Sequence, residues 1–272
     1  MVNLSIITIN YNNAVGLKKT IDSVINQNYK NFEYIIVDGN STDNSVEVIK
    51  SINLPNFNWV SEEDSGIYNA MNKGIKMAEG DYLLFLNSGD FLKNNKVLDE
   101  VFFNIKKGVS FIGCNLFLNY KNEKKIKKHP EKISFSYLLT STILHPSTFI
   151  KKEMFDKYGF YNEENKIVSD WEFFFKAIAL NGESFQKIDK ELTIFDMYGI
   201  SSNSENSDIV KYEKEQVFNK YLKSIYVNDL DKFLFNQLKN PTKRIKYLMK
   251  IEKNIFLRKI TTFCLSVLNK FS

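Results

Sequence analysis

Apolar and polar residues alternate in blocks along the first half of the chain, and the blocks switch between strand-like and helix-like spacing. LSIITI is a short continuous apolar run, the signature of a buried strand; Leu17, Ile21, Val24 and Ile25 then recur at helical spacing until Asn28 ends the element. EYIIVD predicts a second strand, and residues 41–43 can cap a helix that carries Val46 and Ile49. FNWVSE is a third, weaker strand, followed by a helix over residues 70–77, and DYLLFLN is the strongest strand pattern of all. A helix near residues 96–105 leads to VSFIGC and LFLNY, two strand-like runs around Asn115. Strands alternating with helices in this way predict a parallel α/β sheet.

After a lysine-rich loop, ISFSYLLTS predicts a short helix and STFI a strand. Ser169 and Glu172 have capping-box spacing at the start of WEFFFKAIAL, and QKIDKELTIF reads as a further strand. The polar stretch YGISSNSEN separates a first domain, residues 1–204, from a helical tail, residues 205–272. Val217, Tyr221, Leu222 and Ile225, then Phe233, Leu234 and Leu238, keep helical period in the tail, and Pro241 opens a last basic segment.

At 272 residues the chain accommodates one α/β domain with a smaller appendage. Its formal charge of +5 is unevenly spread. Basic residues cluster at 121–132 and again at 239–270, where Glu252 is the only acid. Nearly all are lysines, which suit diffuse attraction to phosphate surfaces better than readout of base edges, so an anionic membrane surface is expected as a partner and nucleic acid is not. Packing of the tail on the first domain, or a homodimer through the C-terminal helices, is the alternative. Cys114 and Cys264 lie far apart and argue no disulfide framework, which points to a reducing cytosol. The chain passes from Met1 straight into LSIITI, so no secretory signal is expected. IFLRKITTFCLSVL is broken by Arg258 and Lys259 and falls short of the ~20 residues a spanning helix needs. The expected location is therefore cytoplasmic, peripheral on the inner face of the cell membrane.

Asp38, Asp64 and Asp90 each stand at or near the end of an apolar run. In an open α/β sheet such ends line one crevice. Three acids there, in a chain with two histidines and no Gly-rich phosphate loop, suggest a site for a metal ion and a polar nucleotide, as in nucleotide-sugar chemistry. NYNNAVG after the first strand lacks the glycines of a dinucleotide fingerprint, which argues against an oxidoreductase. A noncatalytic carbohydrate- or nucleotide-binding protein on the same fold is the competing reading.

LSIITINYNNAVGLKKTIDSVINQNYKNFEYIIVDGNSTDNS, DSGIYNAMNKG, LLFLNSGDF, HPSTFIKKEMFDKYGFYNEENKIVSDWEF and YGIS together resemble glycosyltransferase family 2, in particular its branch that builds bacterial surface polysaccharides. The resemblance covers residues 4–202 and implies a GT-A nucleotide-sugar-binding fold: α/β with a central, mostly parallel sheet, plus a helical C-terminal extension. It also implies inverting transfer from a nucleotide-diphosphate sugar, with UDP the expected nucleotide and Mn2+ or Mg2+ as cofactor, to a glycan or lipid-linked saccharide. Carried onto this chain, Asp38 with Gly39 would read the uracil or ribose, with Thr8 and Asn10 as the neighbouring wall, and Asp64 would contact the nucleoside. Asn69 stands where close relatives have aspartate and Met71 where wider relatives have arginine, leaving Lys73 as a phosphate cation or as a solvated helix lysine.

Asn87-Ser88-Gly89-Asp90 occupies the place of the family's DxD motif, so that Asp90 supplies a metal-binding carboxylate while Asn87 and Gly89 replace acids often found there. Asp170 matches the catalytic base, and the neighbouring Trp171 is an acceptor wall or a core residue. His145 lies where relatives often carry histidine near acceptor or metal, with a structural role as its alternative. Tyr198 falls in a loop that in the family reads Gly-Gly-x-Ser.

Overall fold

The computed structural model describes residues 3–120, 123–196, 206–222, 235–237, 239, 242–251 and 254–268. Two compact units divide the chain, Met1–Val217 and Phe218–Ser272.

The first unit is built on one nine-stranded sheet. β1 (Leu4–Asn10) is buried along its whole length, as a continuous apolar strand covered on both faces must be. Its parallel neighbours are β2 (Phe32–Asp38) and β4 (Tyr82–Phe85), and β3 (Phe57–Ser61) extends β2. The connecting helices are α1 (Ala14–Ile25), α2 (Ser45–Lys50) and α3 (Ile67–Met77). α3 begins three residues before the expected start. It lies close against β1, because a Cβ on Gly74 would come within 2.5 Å of Ile7 Cγ2. Strand order runs β3-β2-β1-β4, so the chain leaves β1 toward one side and returns from β3 to the other. That reversal opens a crevice at the carboxyl ends of β1 and β4.

Beyond β4 the sheet turns antiparallel through β8 (Thr148–Lys151), and the order continues β8-β6-β9-β5. β5 (Phe91–Leu92) is a two-residue strand, followed by α4 (Val97–Phe102). The two runs expected on either side of Asn115 are one strand, β6 (Phe111–Tyr120), paired in parallel with β9 (Phe185–Asp196). The pairing register shifts on both sides of Asn115, so the polar residue marks a bulge and not an end. The lysine-rich stretch expected as a loop also contains a strand, β7 (Glu123–Lys127), paired with β6 and exposed at every position. Charged side chains on a solvated edge strand discourage further pairing.

α5 (Phe135–Thr140), a 3-10 turn at His145–Ser147 and α6 (Glu153–Tyr158) flank β8. α7 (Ser169–Phe174) continues as a π-helix through Phe175–Leu180, and α8 (Ser207–Leu222) follows. The core gathers Leu4, Ile6, Tyr34, Ile36, Leu84 and Phe149 from the strands with Leu17, Ile21 and Val24 of α1. The second unit contains helices Lys243–Ile251 and Ile255–Leu268. In it Phe218 meets Phe235 edge-on at 5.3 Å, with Lys239 Nζ 4.8 Å from the Phe218 ring centre.

Candidate active site

Sheet register sets Asn10, Asp38 and Ser61 side by side at the ends of β1, β2 and β3. Asp38 is fully buried there. Its Oδ1 accepts from Asn10 Nδ2 at 2.8 Å and Ser41 Oγ at 2.6 Å; Oδ2 accepts from Ser41 N at 2.9 Å and Ser61 Oγ at 2.7 Å. Burial raises the Asp38 pKa, but the hydrogen bonds from Ser41, Asn10 and Ser61 outweigh it and hold the carboxyl below its ordinary range. The carboxylate thus knits three strand ends together. Asn12, with φ of 48°, adds a latch by accepting from Thr42 N at 2.8 Å, and Asp43 reaches across to accept from Ala14 N at 2.9 Å.

Thr8 lies elsewhere. It is fully buried, with Oγ1 donating to Leu86 O at 2.7 Å and lying 3.0 Å from Tyr34 OH. Its side chain points along the core face with Leu4 and Ile6, so it ties β1 to its neighbours inside the sheet and forms no wall of the crevice.

Asp64 packs over the end of β2. A Cβ on Gly39 would sit 2.5 Å from Asp64 Oδ2, so the missing side chain is what lets this acid approach. Asp64 Oδ1 accepts from Gly66 N at 3.0 Å, and Gly66, with φ of 138°, leads into α3. Lys73, one face further along α3, donates to Glu63 O at 2.7 Å and pairs with Glu62 at 2.8 Å. It is engaged with the loop that carries Asp64. Asn69 and Asn72 instead hold Glu163, donating at 2.8 and 2.7 Å.

The segment Asn87-Ser88-Gly89-Asp90 is a tight turn beside β1, closed by Asp90 N on Asn87 O at 2.9 Å and joined to the strand by Ser88 N on Ile9 O at 3.1 Å. Thr20 Oγ1 of α1 donates to Asp90 O at 2.7 Å, and Gly89 N donates to the same hydroxyl at 3.0 Å. The Asn87 and Asn10 Oδ1 atoms are both buried without a hydrogen-bond partner among the described residues. Buried amide oxygens of this kind are costly unless something completes them. No group of three or more His, Cys, Asp or Glu forms a metal cage among the described residues. What the turn offers is the Asp90 carboxylate and the Asn87 amide oxygen. That hard-oxygen set fits a Mg2+ or Mn2+ that takes its other ligands from phosphate and water.

Asp170 stands at the first turn of α7. Its Oδ1 lies 3.0 Å from Tyr68 OH, which is also 2.5 Å from Ile167 O. Tyr68 belongs to α3, so one hydroxyl links the helix that follows Asp64 to the carboxylate of Asp170. Burial, and after it the Asp170 charge, raises the Tyr68 and Tyr161 hydroxyls well above the ordinary tyrosine range. His145 completes this corner: its ring stacks on Phe85 at 5.0 Å, and Nε2 lies 2.8 Å from Tyr161 OH. Burial lowers its pKa against an opposing pull from Asp170, which favours the neutral imidazole. The His145 ring is buried, stacked on Phe85 and edge-on to Tyr161 at 5.8 Å. Trp171 is also buried, with Nε1 donating to Leu138 O at 2.8 Å and its ring stacked on Phe175 at 5.2 Å. It is a core residue.

The expected Ser169–Glu172 capping box does not form. Val168 is the capping residue, Ser169 Oγ has no hydrogen-bond partner among the described residues, and Glu172 accepts from Asn165 Nδ2 at 2.7 Å. Glu213 of α8 takes over by accepting the amides of Lys166, Ile167 and Val168 at 2.6, 3.1 and 3.1 Å. Tyr198 lies outside the described residues.

Sequence reasoning missed Ser41, Ser61, Tyr68 and Glu213. Ser41 and Ser61 follow directly on strand patterns, and Tyr68 is a polar aromatic on the apolar Met71–Ile75 face of α3; both are usable signals. Glu213 carries none, since its partners lie more than forty residues away.

The model of glycosyl transferase family 2 matches residues 5–170. An uncharacterized glycosyltransferase of Mycobacterium tuberculosis is 31% identical over 76% of this chain and 79% of its own. A PGL/p-HBAD biosynthesis glycosyltransferase of Mycobacterium bovis is 30% identical over 62% of this chain and 67% of its own. Among solved structures, S. aureus TarS 1-349 in complex with UDP-GlcNAc superposes with a TM-score of 0.64 at 19% identity, covering 87% of this chain and 70% of that one. The chain spans 50% of the longer TarS structure. The mannosyltransferase PcManGT from Pyrobaculum calidifontis, in complex with GDP-Man and Mn2+, gives 0.62 at 16% identity, covering 82% and 64%. These likenesses establish the GT-A fold. The family match begins within β1 and ends on Asp170, taking in Asp38, Asp64 and Asp90, and the chain belongs to glycosyl transferase family 2.

Proposed function

We propose that this glycosyltransferase moves a sugar from a UDP-linked donor, with inversion at the anomeric carbon, onto a hydroxyl of a glycan or lipid-linked saccharide in bacterial surface polysaccharide synthesis. Residues 1–204 act as the catalytic domain and residues 205–272 as an extension. The observation that supports the reading is the Tyr68 bridge between α3, the helix that follows Asp64, and the carboxylate of Asp170.

In this reading the ribosyl and uracil groups sit against the Asp38 and Asp64 corner, with Asn10 Oδ1 as an open acceptor. Asp90 and Asn87 Oδ1 would hold a divalent cation together with the donor phosphates. The cation, when bound, offsets charge on the departing diphosphate. Transfer is a single displacement: the acceptor oxygen bonds to the anomeric carbon as the bond from that carbon to the diphosphate oxygen breaks and its electron pair leaves with UDP. The hydroxyl proton passes to Asp170. Tyr68 occupies Oδ1, and Oδ2 has no hydrogen-bond donor among the described residues, which favours it as the proton acceptor. TarS solved with UDP-GlcNAc supports UDP, and PcManGT solved with GDP-Man and Mn2+ supports a divalent metal.

The test is a panel of UDP- and GDP-sugars, with Mn2+, Mg2+ or chelator, read by release of nucleotide. Asp170→Asn should lower turnover by ~10²-fold or more while leaving UDP affinity unchanged. Near-normal turnover in the folded variant overturns the base assignment, and nucleotide binding without any turnover favours a binding protein.

A further inference from the structure

The second unit ends in a helix with two unlike faces. Helix Ile255–Leu268 starts at Asn254, whose Oδ1 accepts from Phe256 N and Leu257 N at 3.0 and 3.1 Å. At about 100° per residue, Phe256, Leu257, Ile260, Phe263 and Cys264 fall on one side, and Arg258, Lys259, Thr262 and Ser266 on the other, where Ile255 and Leu265 interrupt the polar positions. The apolar side is not buried: Phe256 is 71% exposed, Phe263 69% and Ile260 45%. The hydroxyls of Thr262 and Ser266 are satisfied on their own helix, by Arg258 O at 2.9 Å and Phe263 O at 2.7 Å. Among the described residues, no helix is long and apolar enough to cross a membrane.

Charge decides what covers this face. Residues 239–270 hold nine basic residues and a single acid, while the whole chain carries only +5, so the remainder of the chain is net acidic. A second copy would set the same positive segment against itself. An anionic lipid surface offers opposite charge to the lysines and an acyl boundary to the phenylalanines at once.

We infer that helix Ile255–Leu268 lies in the headgroup region of an anionic lipid bilayer, with Phe256, Ile260 and Phe263 inserted and Arg258 and Lys259 toward phosphate. The preceding helix Lys243–Ile251, with no acid in its first turn and Tyr247 exposed, adds attraction of the same sign. This docking is independent of the donor and base assignments.

The experiment uses the full chain and vesicles of phosphatidylcholine with and without phosphatidylglycerol, read by flotation, with light scattering to follow oligomeric state. Wild type should float with the phosphatidylglycerol vesicles in low salt and lose ~10-fold or more in affinity in high salt or on phosphatidylcholine alone. The variant Phe256→Ser with Phe263→Ser should lose ~10-fold or more on anionic vesicles while nucleotide affinity stays unchanged. Arg258→Gln with Lys259→Gln, which leaves the apolar face intact, should weaken binding and flatten its salt dependence. Absence of wild-type binding, or equal binding by the phenylalanine variant, overturns the inference. So does a wild-type dimer that the phenylalanine variant converts to monomer without any vesicle binding in either form.

Discussion

The phenolic oxygen of Tyr68 lies 3.0 Å from Oδ1 of Asp170, across a chain separation of 102 residues. It has one proton and two acceptors in reach, since Ile167 O is 2.5 Å away. The hydroxyl therefore fixes the carboxylate rotamer and the backbone just before it. Tyr68→Phe keeps the ring and removes both contacts. The expected outcome is a ~10-fold fall in kcat with donor affinity changed less than ~2-fold, together with roughly 1 kcal/mol of lost stability. Steady-state kinetics on the folded variant check it, and a loss confined to KM contradicts a role in positioning Asp170.

Asp90 is the one carboxylate of the turn after β4, beside the unpartnered Asn87 Oδ1. A single carboxylate binds a divalent cation weakly unless phosphate oxygens complete the shell. UDP titrations of wild type should therefore tighten markedly when Mn2+ is added, and chelation should reverse the gain. Asp90→Ala should abolish that gain and leave metal-free UDP affinity nearly unchanged. Calorimetric titration with and without Mn2+ separates the two, and an equal response to metal in both proteins rejects the assignment.

Glu213 is buried and satisfies three successive amides immediately ahead of Ser169 and Asp170. Glu213→Ala leaves those donors without their acceptor, at a cost of about 3 kcal/mol. Glu213→Gln retains one acceptor oxygen and should lose less. Urea denaturation measures both, and turnover per folded molecule should fall in the same order, because the backbone carrying Asp170 loses its anchor.

His129 is buried in the lysine-rich stretch, against Phe185 and beside Thr148. Burial first, then the charges of Lys127 and Lys187, lowers its pKa to about 4. The unfolded chain takes up the proton near the ordinary histidine value of about 6.5, while the folded chain resists it until about 4. Stability is thus complete above about pH 6.5 and declines as pH falls toward 4, by roughly 3 kcal/mol from this group. The depressed His145 acts in the same direction. Thermal melts from pH 7 to 4 should show a shallower decline in His129→Phe than in wild type; parallel curves would count against the buried neutral imidazole.

Local periodicity determined the strands and helices of the first ninety residues, because the spacing of apolar side chains is a property of the chain itself. The resemblance of its motifs to glycosyltransferase family 2 implied the GT-A fold and singled out Asp38, Asp64, Asp90 and Asp170 as candidates. The sequence could not tell that Thr8 faces inward, because a residue at the end of a strand is assigned to core or crevice only by the elements that pack on each face. Nor could it tell that the lysine-rich segment pairs as β7, since an exposed edge strand has no apolar period and takes its conformation from the partner strand. The donors around Asp38 come from three different elements and the cap on the Asp170 turn from a fourth, α8. Such partnerships follow from sheet register and helix placement, and only the tertiary structure decides which carboxylate each buried amide or hydroxyl will meet.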